Sequence, residues 1–255
     1  FKVLDNLSIG ANISYIYGDI THSVTTAFSN SSSFSSVRLD KISINDYKLD
    51  FGLQYSYKFN KKHVLNFGAV YSLGHSVNGK GYKYNQKWLN GADYPSTQTG
   101  DTITNAFSLP HTFGAGLTYV YDNRLTIGAD FTYQQWEDAK FYNEKSYFSN
   151  RTKIAAGAEF VPNPYSRNYL KRVRYRVGGY YSDPYTKVDG QDGTREYGVS
   201  AGFGFPLFQS KSILNISGQY VRVSPKVKGM LEENYLKINI GLTFNERWFM
   251  KWKVD

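Results

Sequence analysis

Cysteine is absent from this 255-residue chain. That removes disulfides, thiolate metal sites and cysteine nucleophiles together. No run of about 18 apolar residues occurs, which excludes a transmembrane helix. Proline is low, at 7 residues. The four histidines, His22, His63, His75 and His111, form no close pair with one another, so a metal site has little support. There is no G-x-S-x-G elbow, and Gly79-Lys80-Gly81 lacks the P-loop pattern and reads as a loop tip. The expectation is therefore a non-enzyme without a cofactor. The formal charge of +9 admits nucleic acid, anionic lipid or an anionic solute. The basic residues are scattered over the chain with no basic helix or arm, so no nucleic-acid partner is expected. The chain begins at Phe1 without an initiator methionine or a leader, as a processed protein or a piece of a longer one does.

What the chain has instead is alternation. Leu236, Ile238, Ile240, Leu242 and Phe244 fall on one parity, and Lys237, Asn239, Gly241 and Thr243 on the other. A period of two is a β-strand with one face in each environment. The polar parity carries charge, amide and glycine, with little to build a dry core. This is the inverse of a soluble sandwich and matches lipid outside and a polar lumen inside. Ten such stretches are present. They start near Leu7, Tyr47, Leu65, Ala106, Leu125, Ile154, Val173, Tyr197, Leu214 and Leu236. A mean hydropathy of -0.49 does not oppose this, because half of each strand and all loops face water.

Short connections near 60–63, 122–123, 162–171 and 207–211 alternate with longer ones near 20–40, 75–105, 140–150, 184–194 and 224–233. The stretch 75–104 reads as a loop or a hairpin beyond the membrane. A bacterial outer-membrane barrel has short periplasmic turns and longer external loops. Tyr55, Tyr57, Tyr119, Tyr121, Trp136 and Trp248 at strand ends fit interfacial girdles. The competing reading is a soluble antiparallel sandwich. It would have to bury many of the 23 tyrosines, each with a phenol needing a partner. The expected fold is thus all-β, a single antiparallel transmembrane barrel domain over 1–255 with about ten strands visible, in the outer membrane among lipid and lipopolysaccharide.

The stretch Leu109–Trp136, LPHTFGAGLTYVYDNRLTIGADFTYQQW, resembles the FadL family of outer-membrane transporters for long-chain fatty acids and other hydrophobic compounds. The resemblance rests on Leu109, Pro110, Gly114, Gly116, Tyr119, Asp130, Tyr133 and Trp136. It extends through Arg151–Phe160 and then Arg174–Tyr181 with its RVGGYYSDPY continuation. The segment FNERWFMKWKVD from Phe244 resembles Bacteroidetes members. The likeness covers roughly 105–255; 1–104 matches only as a generic barrel. It implies a fourteen-stranded barrel with an N-terminal plug, of which the plug and about four strands are absent here. Ten strands closing a narrower barrel is the alternative. The resemblance implies passive, gated passage of a hydrophobic small molecule such as a fatty acid. The alternative function is a non-transporting barrel acting as scaffold or carrier in a secretion or surface-assembly complex, with protein partners. The two differ in what they need: an apolar pocket above a plug, or long ordered loops that engage another chain.

The inward parity carries Lys48, Asp50, Asp130, Lys153, Glu159, Arg174, Arg176 and Lys237. Arg174 and Arg176 share a face about 7 Å apart and suit a carboxylate, because a guanidinium fork pairs two oxygens. The alternative is a charge ladder, with Glu159 or Asp130 neutralising the basic neighbours. Pro110, which cannot donate to a ladder, is either a wall opening for lateral exit or a bulge above the membrane.

Overall fold

The computed structural model describes residues 2, 4–30, 33–89, 97–142, 144–188, 190–207, 212–226, 229 and 231–244. The C-terminal run after Phe244, with Trp248, lies outside the described residues. The strands are β1 (Leu7–Thr26), β2 (Phe34–Lys58), β3 (His63–Ser72), β4 (His75–Val77), β5 (Gly79–Leu89), β6 (Thr97–Thr104), β7 (Phe107–Leu109), β8 (Thr112–Tyr121), β9 (Leu125–Gln134), β10 (Arg151–Phe160), β11 (Arg174–Ser182), β12 (Lys187–Val188), β13 (Gln191–Asp192), β14 (Thr194–Pro206), β15 (Ile213–Pro225) and β16 (Glu233–Thr243). Two single-turn 3₁₀ segments, Trp136–Asp138 and Tyr169–Arg172, complete the regular structure.

Ten strands form one antiparallel wall in the order β1, β2, β3, β8, β9, β10, β11, β14, β15, β16. These are the ten alternating stretches. The outer edges of β1 and β16 have no partner strand among the described residues. The parity rule holds along the wall. On the central strands Ile127, Phe131, Ile154, Val177, Val199 and Phe203 are exposed, as a lipid-facing surface must be. Opposite them run small residues: Gly68 pairs with Gly116, Gly128 with Gly157, and Gly157 with Gly178. The architecture is that of an outer-membrane β-barrel. The tight turns 59–62 and 122–124 lie at one end of the wall with the longer 161–173 connection, and the projecting strands and remaining long connections lie at the other.

Two expectations need correction. The segment near 20–40 is mostly strand. β1 and β2 pair without interruption from Leu7↔Tyr55 to Thr26↔Ser36. At about 3.3 Å per residue, the 25 residues of β2 far exceed a bilayer, so its first half stands outside. There it exchanges neighbours. Asp50–Lys58 pairs β3, whereas Phe34–Ile44 pairs β5, and β5 pairs β6. The polar 75–104 stretch is therefore a hairpin, added to the projecting halves of β1 and β2 as a four-stranded blade. Trp136 is not a girdle residue. It sits half-buried in a 3₁₀ turn, with its ring 5.1 Å from Tyr185 and 5.3 Å from Phe148.

Candidate functional site

Two regions have built side-chain geometry. The first is on the inward face of the wall, where β10, β11, β14 and β15 lie side by side. Register places Glu159 opposite Arg176, and Arg174 opposite Gly204. Arg174 donates from Nη1 to Glu159 Oε1 at 2.8 Å, and Arg176 from Nε to Oε2 at 2.6 Å. Arg176 Nη1 also donates to Asn215 Oδ1 at 2.7 Å. Gly204 leaves room for this, since a Cβ there would lie 3.2 Å from the Arg174 Cβ. Both guanidiniums stay about two-fifths exposed, so the contacts are screened and individually weak. One carboxylate between two cations leaves one positive charge in excess. Beside it lies a concavity of about 330 Å³ between Arg176, Ser200, Gly202, Asn215, Ser217 and Asn239. Its lining mixes these hydrogen-bonding groups with Val177, Ala201 and Ile216.

The other inward charges lie apart from this cluster. Lys48 pairs with Asp50 at 2.7 Å, and Ser72 donates to the same carboxylate. Lys153 Nζ sits 5.4 Å from the Tyr180 ring centroid, and Lys237 Nζ 5.8 Å from that of Tyr235. Asp130 lies across Gly116, and its Oδ1 fills the space a Cβ there would need. Pro110 is buried at the corner between β7 and β8, at the long-connection end. The β3–β8 and β8–β9 ladders below it are continuous.

The second region was not visible as a site in the sequence. Beyond the membrane, Ile42, Ala106 and Tyr142 form a buried cluster with Ile44, Ile103, Phe107 and Phe141 packed on it. It seals the inner face of the blade against the 135–150 connection. Gly81 makes the seal possible: a Cβ there would lie 2.7 Å from the Ala106 Cβ and 2.9 Å from the Tyr142 ring. Tyr142 adopts a left-handed φ of 51°, and its N–H donates to the Ala106 carbonyl at 2.6 Å. Burial raises its phenol pKa, and nearby Asp40 adds to the shift. Trp136, Phe148 and Tyr185 extend the cluster through Phe107 and Phe141. A polar latch joins three connections: Ser149 Oγ donates to Asp192 Oδ1 at 2.5 Å, and Lys226 Nζ lies 3.2 Å from Asp192 Oδ2. The Ser149 bond, then Lys226, holds the Asp192 carboxyl below the usual range. Aromatic density in 136–148 was the sequence signal for this core. The shift of apolar residues from Val37 and Leu39 to Ile42 and Ile44 was the other.

Among solved structures, the fold is similar to the CymD monoaromatic hydrocarbon channel. The TM-score is 0.61 at 12% identity, covering 97% of this chain and 71% of that one. It is also similar to a Pseudomonas aeruginosa FadL homologue, with a TM-score of 0.53 at 17% identity, covering 89% of this chain and 58% of that one. The RagAB peptide importer gives a TM-score of 0.57 at 10% identity, covering 97% of this chain and 33% of that one. At these identities the likeness is one of fold, and the fold is FadL-like. Comparison with curated protein sequences gives no match. The BamG family model matches residues 1–255.

Proposed function

The chain belongs to the BamG family, and from that premise we propose that it is an outer-membrane barrel serving as the membrane-embedded scaffold of a protein complex. The observation that carries this reading is the position of its dry core. The cluster of buried side chains around Ile42, Ala106 and Tyr142 lies in connections outside the membrane. A wall needs no such core to span lipid. Ordered loops fixed by aromatic packing and a polar latch form a preformed surface, which lowers the entropy lost when a partner docks. Lipid and lipopolysaccharide surround the barrel on this reading. The test is mild extraction from the native membrane, followed by sizing. The protein should run within a larger complex. Removing the β5–β6 hairpin should release a folded barrel from it. A wild-type protein that extracts alone sinks the proposal.

The fold likeness to a hydrocarbon channel and a FadL homologue favours a second reading. Here the barrel passes a hydrophobic small molecule such as a fatty acid, with the Arg174–Arg176 pair biasing the lumen toward carboxylates. Lys48, Asp50, Asp130, Lys153, Glu159 and Lys237 then line the polar route. Replacing both arginines with Gln should lower uptake of a fatty acid into proteoliposomes more than uptake of its alcohol analogue. Equal effects make the pair structural. No uptake by the unaltered protein removes this reading.

A further inference from the structure

The two ends of the wall differ in charge. In the long connections and projecting strands (18–46, 75–111, 135–151, 183–196 and 222–233) the described cations and carboxylates balance at twelve each. At the short-turn end (2–6, 58–63, 121–125 and 161–173) eight described cations meet two carboxylates, an excess of six. Both carboxylates already have a cation: Asp5 is 2.9 Å from Lys2, and Asp122 is 3.4 Å from Arg124. The excess includes Lys58, Lys61 and Lys62 in one turn, and Arg167 and Lys171 in another.

The 161–173 connection has a defined shape. Buried Val161 and Val173 anchor its ends. The Asn163 N–H donates to the Lys171 carbonyl at 2.8 Å, closing the loop on itself. Asn163 Oδ1 accepts from the Tyr165 N–H, Ser166 Oγ from the Asn168 N–H, and Asn168 Oδ1 from the Leu170 N–H, all at 3.0–3.1 Å. The Tyr175 hydroxyl donates to the Leu170 carbonyl at 3.1 Å. The loop so fixed presents Tyr165 at 94% exposure and Leu170 at 63%. A lone exposed apolar residue is ordinary. An exposed tyrosine and an arginine within a surface of excess positive charge have the make-up of an interface anchor.

Lipid headgroups would also attract these cations. Tyr165, however, stands five residues past the end of β10 and nine before β11. The ten residues of β10 already match a bilayer's hydrocarbon span. Phe160 ends β10 and Arg174 opens β11, so Tyr165 belongs to the connection and not to a membrane-length strand.

We propose that the 161–173 connection is a docking knob for the acidic face of a protein partner on the short-turn side. Tyr165 and Leu170 fill an apolar slot, and Arg167 and Lys171 meet carboxylates around it. This interface is separate from the external platform, the surface built on the Ile42, Ala106 and Tyr142 cluster, and does not depend on it. The test puts a photo-activatable cross-linker at position 165, in the protein in its native membrane. The expected adduct is a single protein whose cross-linked peptide is rich in Asp and Glu. Its yield should fall roughly tenfold in R167E/K171E, the scale on which interface charges act. It should also fall in L170S, which keeps every charge. Heat-modifiable gel migration checks that each variant still forms a barrel. Adducts to lipid alone, no adduct, or yields unchanged in both variants overturn the proposal. Loss of the β5–β6 hairpin should leave the adduct intact, so this proposal and the scaffold reading fail separately.

Discussion

Side-chain size at single inward positions decides what the wall and the platform can hold. At Gly81, Ala106 and the Tyr142 ring occupy the space a Cβ would need. Gly81→Ala should destabilise the platform by about 1–3 kcal/mol, the usual range for overpacking. Ala106→Gly in the same chain should recover part of that by removing the nearest contact. Hydrogen exchange around Ile42 and Tyr142 reads the effect; equal exchange in wild type and variant would show that the cluster yields freely. Parity gives a second residue-level test. Ile238 is 71% exposed on the lipid parity, and Asn239 is its inward neighbour. Ile238→Arg should cost about 2–4 kcal/mol near the bilayer midplane, and Asn239→Arg much less. Unfolding by denaturant in lipid measures both, and equal costs would place the strand in a soluble fold.

At the scale of elements, what was legible depended on how uniform each strand's surroundings are. A strand such as β10 has lipid on one side and lumen on the other for its whole length, so Ile154, Ala156, Ala158 and Phe160 keep one parity. β2 passes from membrane to exterior, and its buried face changes on the way. Tyr47 to Tyr57 point to lipid, but Ile42 and Ile44 pack inward. The alternation therefore breaks, and its outer half reads as loop. β5 and β6 have polar residues on both faces, which erases the period altogether. The Arg174–Glu159–Arg176 cluster was legible as a charge ladder because strand parity alone brings those residues to one face. The Ile42–Ala106–Tyr142 cluster joins three separated segments through tertiary packing, which no local pattern encodes. The latch at Asp192 has a pH signature. Its pKa is lowered on folding, so its contribution is present above the ordinary Asp value of about 4 and is lost as pH falls through the lower folded value. Proteolysis within 183–193 should therefore accelerate on acidification below about pH 4. Asp192→Asn should be open at all pH and show no such step. An identical pH profile in both proteins would mean that the latch does not hold the connection.

For the whole molecule, orientation follows from the difference between its ends. The antiparallel order puts the tight turns 59–62 and 122–124, with the 161–173 connection, at one end of the wall and the projecting strands at the other, and the platform core belongs to the second. An outer-membrane barrel puts short turns toward the periplasm and long loops outside. On that rule the basic end, with Tyr165 and Leu170, should face the periplasm and the charge-balanced platform the exterior. The absence of cysteine makes this testable with single replacements against a silent background. Two exposed positions suit the purpose: Ser146 in a long connection and Lys61 in the first short turn. The neighbouring Asn60 is unsuited, because its side chain accepts the N–H groups of Lys62 and His63 and so holds the turn. Ser146→Cys should react with a membrane-impermeant maleimide in intact cells. Lys61→Cys should react only once the outer membrane is permeabilised. Both should be labelled equally in detergent, which confirms that each thiol is reachable. Labelling of Lys61→Cys alone in intact cells would invert the molecule and put the basic end, with its proposed docking knob, on the cell surface.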